Sequence, residues 1–470
     1  MTYYEISDNI LLKKHTISIE KTKRPDTTAV IVEPISEQFY IVINSFQNKC
    51  LLVKKADWDN IEFFPSDFSE LLVTPTENNL DVFRKKIVSS ASGHKIQEET
   101  ITFIIAPSYA CNLKCSYCYQ QYNHNLCKDK ISQENLDIIF DVIRTYKQEH
   151  PSHRIFIGLF GGEPLLPGNA DIIDQIFSFC VDNRLPIHIT TNGTYLPEYM
   201  KKIVIHRGLN MQINTTVDSF DDNQATRSNV GKSVSERNQA QSILDSIYVL
   251  INNKVWVDLS MNIDRHNIEN IPSAIEYLRK QSFLTNEYFS LSIGRVDDRL
   301  YETNYTDILP ETDILQKLSS IADFPSNAHA AFIKTPYNLC QKIGKTFNQL
   351  ELKGEYSYCW TASSLDRVFY VDSQLDTFRC TFTVGRKEFS TFKFSYENIN
   401  NYVNTNRTYL DYNDCIKCPI GGFCSGGCTL SASVDFKKQC AYEKSQFSNF
   451  LTKFFFPYVR KMLDEQADSA

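Results

Sequence analysis

The chain has 470 residues, enough for about three domains, and its 42% hydrophobic and 22% charged content is ordinary for a globular protein. The net charge of −7 disfavours nucleic acid as a partner, because phosphate binding requires a basic face. No run approaches 18 apolar residues and residues 1–14 lack a signal-peptide pattern, so we expect no membrane span and a cytoplasmic location. Fourteen cysteines in such a chain indicate bound metal rather than disulfides.

The first hundred residues have the pattern of a small α+β module. Three strands and then two helices are predicted at 29–32, 38–43, 50–53, 66–72 and 80–88. Ser66 is a candidate N-cap for the first of these helices. The polar stretch 89–99 predicts a linker, so we expect a first domain at 1–95.

Three closely spaced cysteines follow an apolar run, 101–106, that predicts a buried strand. They are Cys111, Cys115 and Cys118, with three and then two residues between them. Three thiolates can hold three irons of a four-iron cluster and leave the fourth iron open to a substrate or cosubstrate. The alternative is a set of structural or zinc-binding cysteines on a loop.

From residue 101 to about 296 the chain alternates strand and helix patterns. The strands are predicted at 101–106, 154–160, 187–191, 211–217, 255–262 and 289–296. Ser132 begins one intervening helix, and another carries an apolar stripe at Ala240, Ile243, Leu244, Ile247 and Ile251. Six strand–helix units predict a parallel sheet with right-handed crossovers and a second domain at 100–310.

The cysteine stretch resembles the signature of the radical S-adenosylmethionine (radical SAM) enzymes, Cys-x3-Cys-x-aromatic-Cys, with Tyr117 as the aromatic residue. The resemblance implies an α/β fold with a partial (β/α)6 TIM-like barrel, and a [4Fe-4S] cluster whose open iron binds SAM. Catalytic parts are then expected at the carboxyl ends of the strands. The cluster's electron cleaves SAM to a 5′-deoxyadenosyl radical that abstracts hydrogen.

A glycine motif directly after the second strand resembles the GGEP motif of this family, which binds the SAM amino group. It consists of Gly161, Gly162, Glu163 and Pro164. Glycines let the backbone approach a ligand closely, and a carboxylate and carbonyl groups accept hydrogen bonds from an ammonium group.

Three further residues match family positions that contact SAM. Asn192 lies in a TNG turn after the third strand, where it either contacts SAM or caps the turn. Thr216, after the fourth strand, keeps a hydroxyl for the ribose or carboxylate. Arg227 matches an arginine that clamps the SAM carboxylate, with a solvated surface arginine as the alternative. Asp218 is expected only to hold its turn.

A second cysteine group lies near the C-terminus, with the spacing Cys-x2-Cys-x5-Cys-x3-Cys. Its members are Cys415, Cys418, Cys424 and Cys428, with Cys359 and Cys380 before them and Cys440 after them. The order resembles the SPASM domain, which carries two auxiliary [4Fe-4S] clusters in peptide-modifying radical SAM enzymes. We expect this domain at 335–445, followed by a Phe-rich helix within 446–470 that packs on the barrel.

The resemblance assigns the auxiliary cysteines to two clusters. Cys359, Cys380 and Cys428 would bind the first cluster, with Cys340 as the candidate fourth ligand. Cys415, Cys418, Cys424 and Cys440 would bind the second, and the pairs Gly421-Gly422 and Gly426-Gly427 would let the chain wrap round it. Relatives have glycine where Leu375 stands, so the hairpin before Cys380 departs from the family pattern. Paired zinc sites are the rival. Cys50 and Cys180 are expected in the core, and Cys127 as a bystander.

We therefore predict a radical SAM/SPASM enzyme acting on a ribosomally made precursor peptide, giving a thioether, C–C or C–O crosslink, or an epimer. The N-terminal module would be a RiPP recognition element, which binds a leader peptide as an extra strand, and flavodoxin or ferredoxin would supply electrons. One alternative is an anaerobic sulfatase-maturating enzyme. Thr381 counts against it, because enzymes of that kind carry an aspartate base at this position, directly after the second SPASM cysteine. Another is a non-catalytic leader-binding protein. The sequence identifies no general base.

Overall fold

The structure is a computed structural model of the chain. It describes residues 3–5, 13–15, 21–23, 29–47, 49–59, 63–83, 100–120, 130–219, 227–229, 236–302, 305–330, 367–402, 413–424 and 426–467. The predictions for the linker 89–99 and for Cys127, Cys340 and Cys359 lie outside these residues.

The N-terminal module is an antiparallel sheet covered by short helices. Its elements are β1 (Tyr3–Glu5), β2 (Lys13–His15), β3 (Lys21–Lys23), β4 (Ile31–Pro34), β5 (Phe39–Asn44), β6 (Lys49–Lys54), α1 (Lys55–Asp59), β7 (Phe63–Pro65) and α2 (Ser66–Leu71). The main sheet has the order β2-β1-β6-β5-β4, and β3 pairs with β7. The three predicted strands correspond to β4, β5 and β6, and the first predicted helix to α2.

Both faces of β5 and β6 are largely buried, because these strands are apolar at consecutive positions. On one face Val42 and Leu51 pack with Trp58 and Phe68 of the two helices. On the other face Ile41 belongs to the main core of the molecule. The module is thus packed directly onto the rest of the chain.

The central part forms one large, mostly parallel sheet with helices between its strands. Its elements are β8 (Thr100–Ile105), β9 (Leu113–Cys115), α3 (Gln133–Glu149), β10 (Arg154–Leu159), α4 (Ala170–Asn183), β11 (Ile187–Thr191), α5 (Leu196–Ile205), β12 (Gln212–Thr216), β13 (Arg227–Asn229), α6 (Glu236–Asn252), β14 (Trp256–Ile263), α7 (Ile271–Lys280), β15 (Phe289–Arg295), α8 (Glu311–Ser319) and β16 (Ala328–Ala330).

The six predicted strands are β8, β10, β11, β12, β14 and β15, which lie side by side in chain order and pair in parallel. The α/β fold is thereby confirmed. Ser132 caps α3 by accepting a hydrogen bond from the backbone N–H of Asn135 at 3.1 Å. The predicted stripe from Ala240 to Ile251 is buried along α6.

The C-terminal part extends the same sheet and ends in long helices. Its elements are β17 (Arg367–Val371), β18 (Asp376–Phe378), β19 (Phe392–Lys393), α9 (Tyr396–Asn400), α10 (Asn413–Ile416), α11 (Gly421–Cys424), α12 (Thr429–Phe450) and α13 (Phe456–Ala467). β17 lies parallel to β8, and β18 and β19 continue the sheet beyond it. The two edge strands of this sheet are therefore β16 and β19.

The last helical region is longer than predicted, because α12 begins at Thr429 and contains Cys440. It is joined to α13 by a π-helical turn, Leu451–Phe455, just before Pro457, whose ring nitrogen cannot donate a hydrogen bond. Phe447 and Phe450 lie in the main core, as expected for a helix that packs on the sheet. No helix in the described ranges is long and apolar enough to cross a membrane.

Candidate active site and metal centres

The cysteine loop lies at the carboxyl edge of the central sheet, directly after β8. Cys111, Cys115 and Cys118 are all half-buried. The loop is held by a short antiparallel pair, β9 with β13, in which Arg227 is the backbone partner of Cys115. The predicted SAM-carboxylate residue is therefore in register with a predicted iron ligand.

The glycine motif is packed against the start of the cysteine loop. A Cβ on Gly161, whose φ is +134°, would lie 2.5 Å from the carbonyl oxygen of Ser108, and a Cβ on Gly162 would lie 2.3 Å from that of Ala110. The backbone N–H of Glu163 donates to the same Ala110 oxygen at 2.9 Å. Only glycine lets the two backbones come this close. The glycine motif therefore helps to position the start of the cysteine loop.

The Glu163 side chain is fully buried and engaged within the protein. Its carboxylate accepts hydrogen bonds from the Thr191 hydroxyl at 2.7 Å and from the backbone N–H groups of Asn192 at 2.6 Å and Leu165 at 2.9 Å. It thereby ties the end of β10 to the end of β11. The Glu163 carboxylate is therefore not exposed to a ligand in this structure.

Asn192 links the TNG turn to the cysteine loop. Its side-chain amide donates to the Asn112 Oδ1 at 2.9 Å and to the Cys111 Sγ at 3.7 Å, while its Oδ1 accepts from Thr194. An N–H group directed at a ligand sulfur is one of the contacts that tune an iron–sulfur cluster. Thr216 ends β12, half-buried, on the strand next to this turn.

Tyr117, the aromatic residue of the motif, is anchored by residues at the carboxyl ends of two neighbouring strands, Asp218 after β12 and Asn262 within β14. Its hydroxyl donates to the Oδ2 of Asp218 and accepts from the Nδ2 of Asn262 at 3.3 Å. Its ring makes an edge contact with Tyr305, with centroids 6.4 Å apart. Sequence reasoning missed this network, because only proximity in the folded chain brings Asp218 and Tyr305 to the loop.

The four cysteines predicted for the second auxiliary cluster line one cavity. These are Cys415, Cys418, Cys424 and Cys440, and the buried Glu443 and the ammonium of Lys444 also face the cavity. Burial raises the pKa of the Cys415 thiol to about 12 and raises the pKa values of Cys418 and Cys424. Neutral thiols are thus favoured without a metal, whereas a bound cation favours thiolates.

The described residues contain no three His, Cys, Asp or Glu side chains that converge on a single metal ion. A cubane cluster bonds a different iron to each cysteine, so its ligands need not meet at one point. An all-sulfur donor set round one cavity fits such a cluster. All four cysteine side chains could therefore serve as ligands of the cluster.

The two glycine pairs of this region differ in their roles. Gly426 and Gly427 have φ values of +83° and +68°, so they turn the chain as expected. Gly421 and Gly422 instead meet the N-terminal module: a Cβ on Gly421 would lie 2.6 Å from the Phe46 ring, and the Gly422 N–H donates to the Ser45 hydroxyl at 3.0 Å. The contact of Gly421 and Gly422 with the N-terminal module was not predicted from the sequence.

Only two of the residues predicted for the first auxiliary cluster, Cys380 and Cys428, are in the described part of the chain. Cys380 follows the β17–β18 hairpin, and the pKa of the Tyr119 hydroxyl is raised by burial first and then by nearby Cys118 and Cys380. Leu375 occupies the left-handed region with φ +62°. It therefore adopts the backbone conformation that glycine favours at the position where relatives carry glycine.

Comparison with known proteins agrees with this geometry. Residues 105–278 match the model of the radical SAM superfamily. The chain contains a radical SAM domain. This match begins at the end of β8 and covers the cysteine loop, the glycine motif and the TNG turn.

Two curated relatives differ in how much of this chain they cover. An uncharacterised protein of Methanocaldococcus jannaschii is 24% identical over 183 residues, which are 37% of this chain and 57% of that protein. The cysteine-type anaerobic sulfatase-maturating enzyme of Clostridium perfringens is 22% identical over 376 residues, 76% of this chain and 95% of that enzyme. The chain thus spans little more than half of the first relative and nearly all of the second.

Two solved structures share the fold. The structure of anSMEcpe with bound AdoMet and a Cp18Cys peptide has a TM-score of 0.55 at 16% identity and covers 78% of this chain and 99% of its own. The structure of SuiB from Streptococcus suis has a TM-score of 0.51 at 14% identity and covers 89% and 96%. The protein therefore shares the fold of these two structures.

Proposed function

We propose that this protein is a radical SAM/SPASM peptide maturase, which removes a hydrogen atom from a residue of a ribosomally synthesised precursor peptide. The observation that carries the proposal is the arrangement at the carboxyl edge of the sheet. There the three-cysteine loop, the glycine motif and Asn192 are joined by direct contacts. Structural zinc cysteines would not require a glycine loop packed against them.

Each predicted residue has a role in binding or orienting the cofactors. Cys111, Cys115 and Cys118 would hold a [4Fe-4S] cluster with one open iron, and Asn192 would donate to the Cys111 sulfur. The backbone of the GGEP loop would bind the SAM amino group, and Thr216 and Arg227 would contact the rest of SAM. The chemistry that SAM and the cluster supply together is reductive formation of a 5′-deoxyadenosyl radical.

The auxiliary cysteines would hold two further [4Fe-4S] clusters. The second set, lining one cavity, is supported by its location. The first set would comprise Cys340, Cys359, Cys380 and Cys428. Closed auxiliary clusters would carry electrons between the substrate and an electron carrier such as flavodoxin or ferredoxin in the cytoplasm.

The substrate proposal rests on the N-terminal module and on the relatives. The order of strands followed by helices resembles a RiPP recognition element, and a peptide is bound in the related anSMEcpe structure. A leader peptide held by this module would bring the modified residue to the carboxyl edge of the sheet. The product would be a crosslink or an epimer.

The test is anaerobic reconstitution of the full chain, followed by iron analysis and a SAM-cleavage assay under dithionite. Three four-iron clusters predict about twelve irons per chain and formation of 5′-deoxyadenosine. Replacing Cys111, Cys115 and Cys118 together by Ala should abolish 5′-deoxyadenosine and remove about four irons. Zinc in place of iron, or product from the triple variant, would refute the proposal.

A second candidate is sulfatase maturation, oxidation of a Cys or Ser to formylglycine. It is favoured by the similarity to the Clostridium perfringens enzyme over 95% of that enzyme's length. It is disfavoured by Thr381, which stands where such enzymes carry an aspartate base. Anaerobic incubation with a sulfatase-derived peptide distinguishes the two, since only the sulfatase-maturating activity would form an aldehyde.

A further inference from the structure

We propose that Asp218, Asp264 and Tyr305 are positioning residues that fix the ring of Tyr117, and with it the last turn of the cysteine loop. We expect this placement to be needed for SAM binding, and that expectation rests on the proposed function. The placement itself depends only on contacts that the structure describes. Each of the three residues follows a different strand of the central sheet.

Asp218 is the first of these contacts. It lies two residues beyond β12 and is 3% exposed, so its carboxylate requires donors from the protein. The Tyr117 hydroxyl donates to Oδ2, and the backbone N–H of Asn262 donates to Oδ1 at 2.8 Å. The main-chain oxygen of Asp218 also accepts from Asn267 Nδ2 at 3.1 Å. The carboxylate is therefore fixed to β14 before it receives the tyrosine.

Tyr305 braces the loop from the other side. Its hydroxyl donates to the Oδ2 of Asp264, a fully buried carboxylate directly after β14, and also bonds the side chain of Ser116. Its ring packs edge-on against Tyr117 at an interplanar angle of 73°. Both tyrosines of this contact are thus tied through their hydroxyl groups to buried carboxylates.

Asp264 is in turn rigidly held. Its Oδ1 accepts from the backbone N–H groups of His266 at 2.8 Å and Asn267 at 3.2 Å. Asn267, which is fully buried, also bonds the Asn262 main-chain oxygen at 2.9 Å. One connected network therefore joins the ends of β12 and β14 to two consecutive residues of the cysteine loop, Ser116 and Tyr117.

The network gives the tyrosine hydroxyl a function that its aromatic ring alone would not have. Tyr117→Phe keeps the ring but removes one of the donors to the buried carboxylate of Asp218. Asp218→Asn keeps the shape but weakens a charge-assisted hydrogen bond. Because both substitutions act on the same contact, their effects should not add.

Hydrogen exchange on the full chain, as purified, tests the placement. The amides of 113–119 should exchange roughly tenfold faster in Tyr117→Phe, Asp218→Asn and Tyr305→Phe, while those of 154–159 in β10 should not change. The Tyr117→Phe/Asp218→Asn double variant should match the larger single effect. Exchange within twofold of wild type, or effects that multiply, would overturn the proposal.

The matched control is Tyr277→Phe, which removes a hydroxyl bonded to Gln241 at 2.7 Å on the outer helices of the same domain. It should leave exchange at 113–119 unchanged. Equilibrium dialysis of reconstituted protein should then show SAM affinity weakened roughly tenfold in Asp218→Asn at full iron content. If amide exchange at 113–119 is faster in Asp218→Asn but its SAM affinity is unchanged, the network is not needed for SAM binding. A wild type that binds no SAM would instead refute the proposed function, leaving the placement to the exchange data.

Discussion

Glu163 is a buried residue whose carboxylate holds two strand ends together. Its hydrogen-bond partners explain why a carboxylate rather than a neutral side chain suits this position. Three donors converge on it, one hydroxyl and two backbone N–H groups. A carboxylate offers about four acceptor positions and no donor, which suits such a site. An amide of the same shape would turn a donor toward one of these groups.

Glu163→Gln should therefore lower the apparent free energy of unfolding by about 1–3 kcal/mol, since a buried donor is left facing another donor. Chemical denaturation of the full chain measures this change. The exposed Glu134→Gln on α3 is the matched control and should change the free energy by less than about 0.5 kcal/mol. Equal effects in the two variants would show that Glu163 is not held as described.

Asp372, in the turn before β18, is a buried carboxyl whose pKa is raised above 3.8 by burial, despite hydrogen bonds from Tyr109 and two backbone N–H groups. The folded protein thus holds this proton more tightly than the unfolded chain does. The stability it contributes is complete below about pH 4 and is lost as the pH rises through the folded pKa.

Asp372→Asn removes this titration while keeping an acceptor oxygen for the N–H groups. The unfolding free energy of the variant should fall less than that of wild type as the pH rises above about 4. Denaturation curves at several pH values give the slope. A steeper fall in the variant would contradict the raised pKa.

The single-residue signals in the sequence were informative where the chemistry is local. Ser132 caps its helix as the residue type predicts, and the cysteine and glycine motifs adjoin in space as their order suggested. Leu375 shows the limit, because a leucine gives no sign that its backbone is left-handed. The roles of Asp218 and Tyr305 depend on side chains brought together from distant loops.

Among elements, the contact between the β5–β6 turn and α11 joins the N-terminal module to the second auxiliary site. Phe46 and Phe83 of the module pack against Cys415 and Ile416, with the two phenylalanine rings 6.2 Å apart. Ser45 completes the contact through the Gly422 N–H. The module therefore touches the loop that carries a predicted iron ligand.

Gly422→Ala should disrupt this contact, because its Cβ would lie 2.3 Å from the Ser45 carbonyl oxygen, too close for either backbone to tolerate. We expect a loss of about 1–3 kcal/mol in apparent unfolding free energy. Gly208→Ala, where a Cβ meets nothing within 4 Å, is the control. If the two variants unfold at the same denaturant concentration, the contact contributes nothing.

Elements with a long apolar run were predictable, and those without one were not. The six parallel strands between 100 and 295 lie where the sequence predicted them, from apolar runs or from alternation as in β11. In contrast, β1, β2, β9 and β13 have three residues each, which is too short for a period to be recognised in the sequence. Such short pairs form because the surrounding fold brings the chains together, which local patterns do not record.

On the scale of the whole molecule, the auxiliary cavity lies where three parts of the chain meet. The N-terminal module contacts α11, and α12 contacts both the cavity and the loop after β15, through the bond from the Tyr301 hydroxyl to Gln439 at 2.9 Å. Without metal, burial disfavours ionised thiols there. We expect loss of the proposed cluster to loosen the N-terminal module, because Cys415 both lines the cavity and packs against the module.

Anaerobic removal of iron by a chelator should speed hydrogen exchange in 39–54 of the N-terminal sheet more than in 154–159 of β10. Cys440→Ser should reproduce the effect without chelator, because it removes one predicted ligand of the same cluster. Mass spectrometry of peptic fragments measures both. Equal protection of 39–54 with and without iron would mean that the module does not depend on the cluster.

The contact between Ser45 and Gly422 also sets an order of events during synthesis. The two residues are 377 positions apart. At roughly 5–20 residues per second, the ribosome needs about 20–75 s to deliver the second after the first. β8 likewise pairs with β17, which is made much later. A nascent chain must therefore keep the face of its N-terminal sheet and one edge of β8 uncovered for that time, and a chaperone would be needed most then.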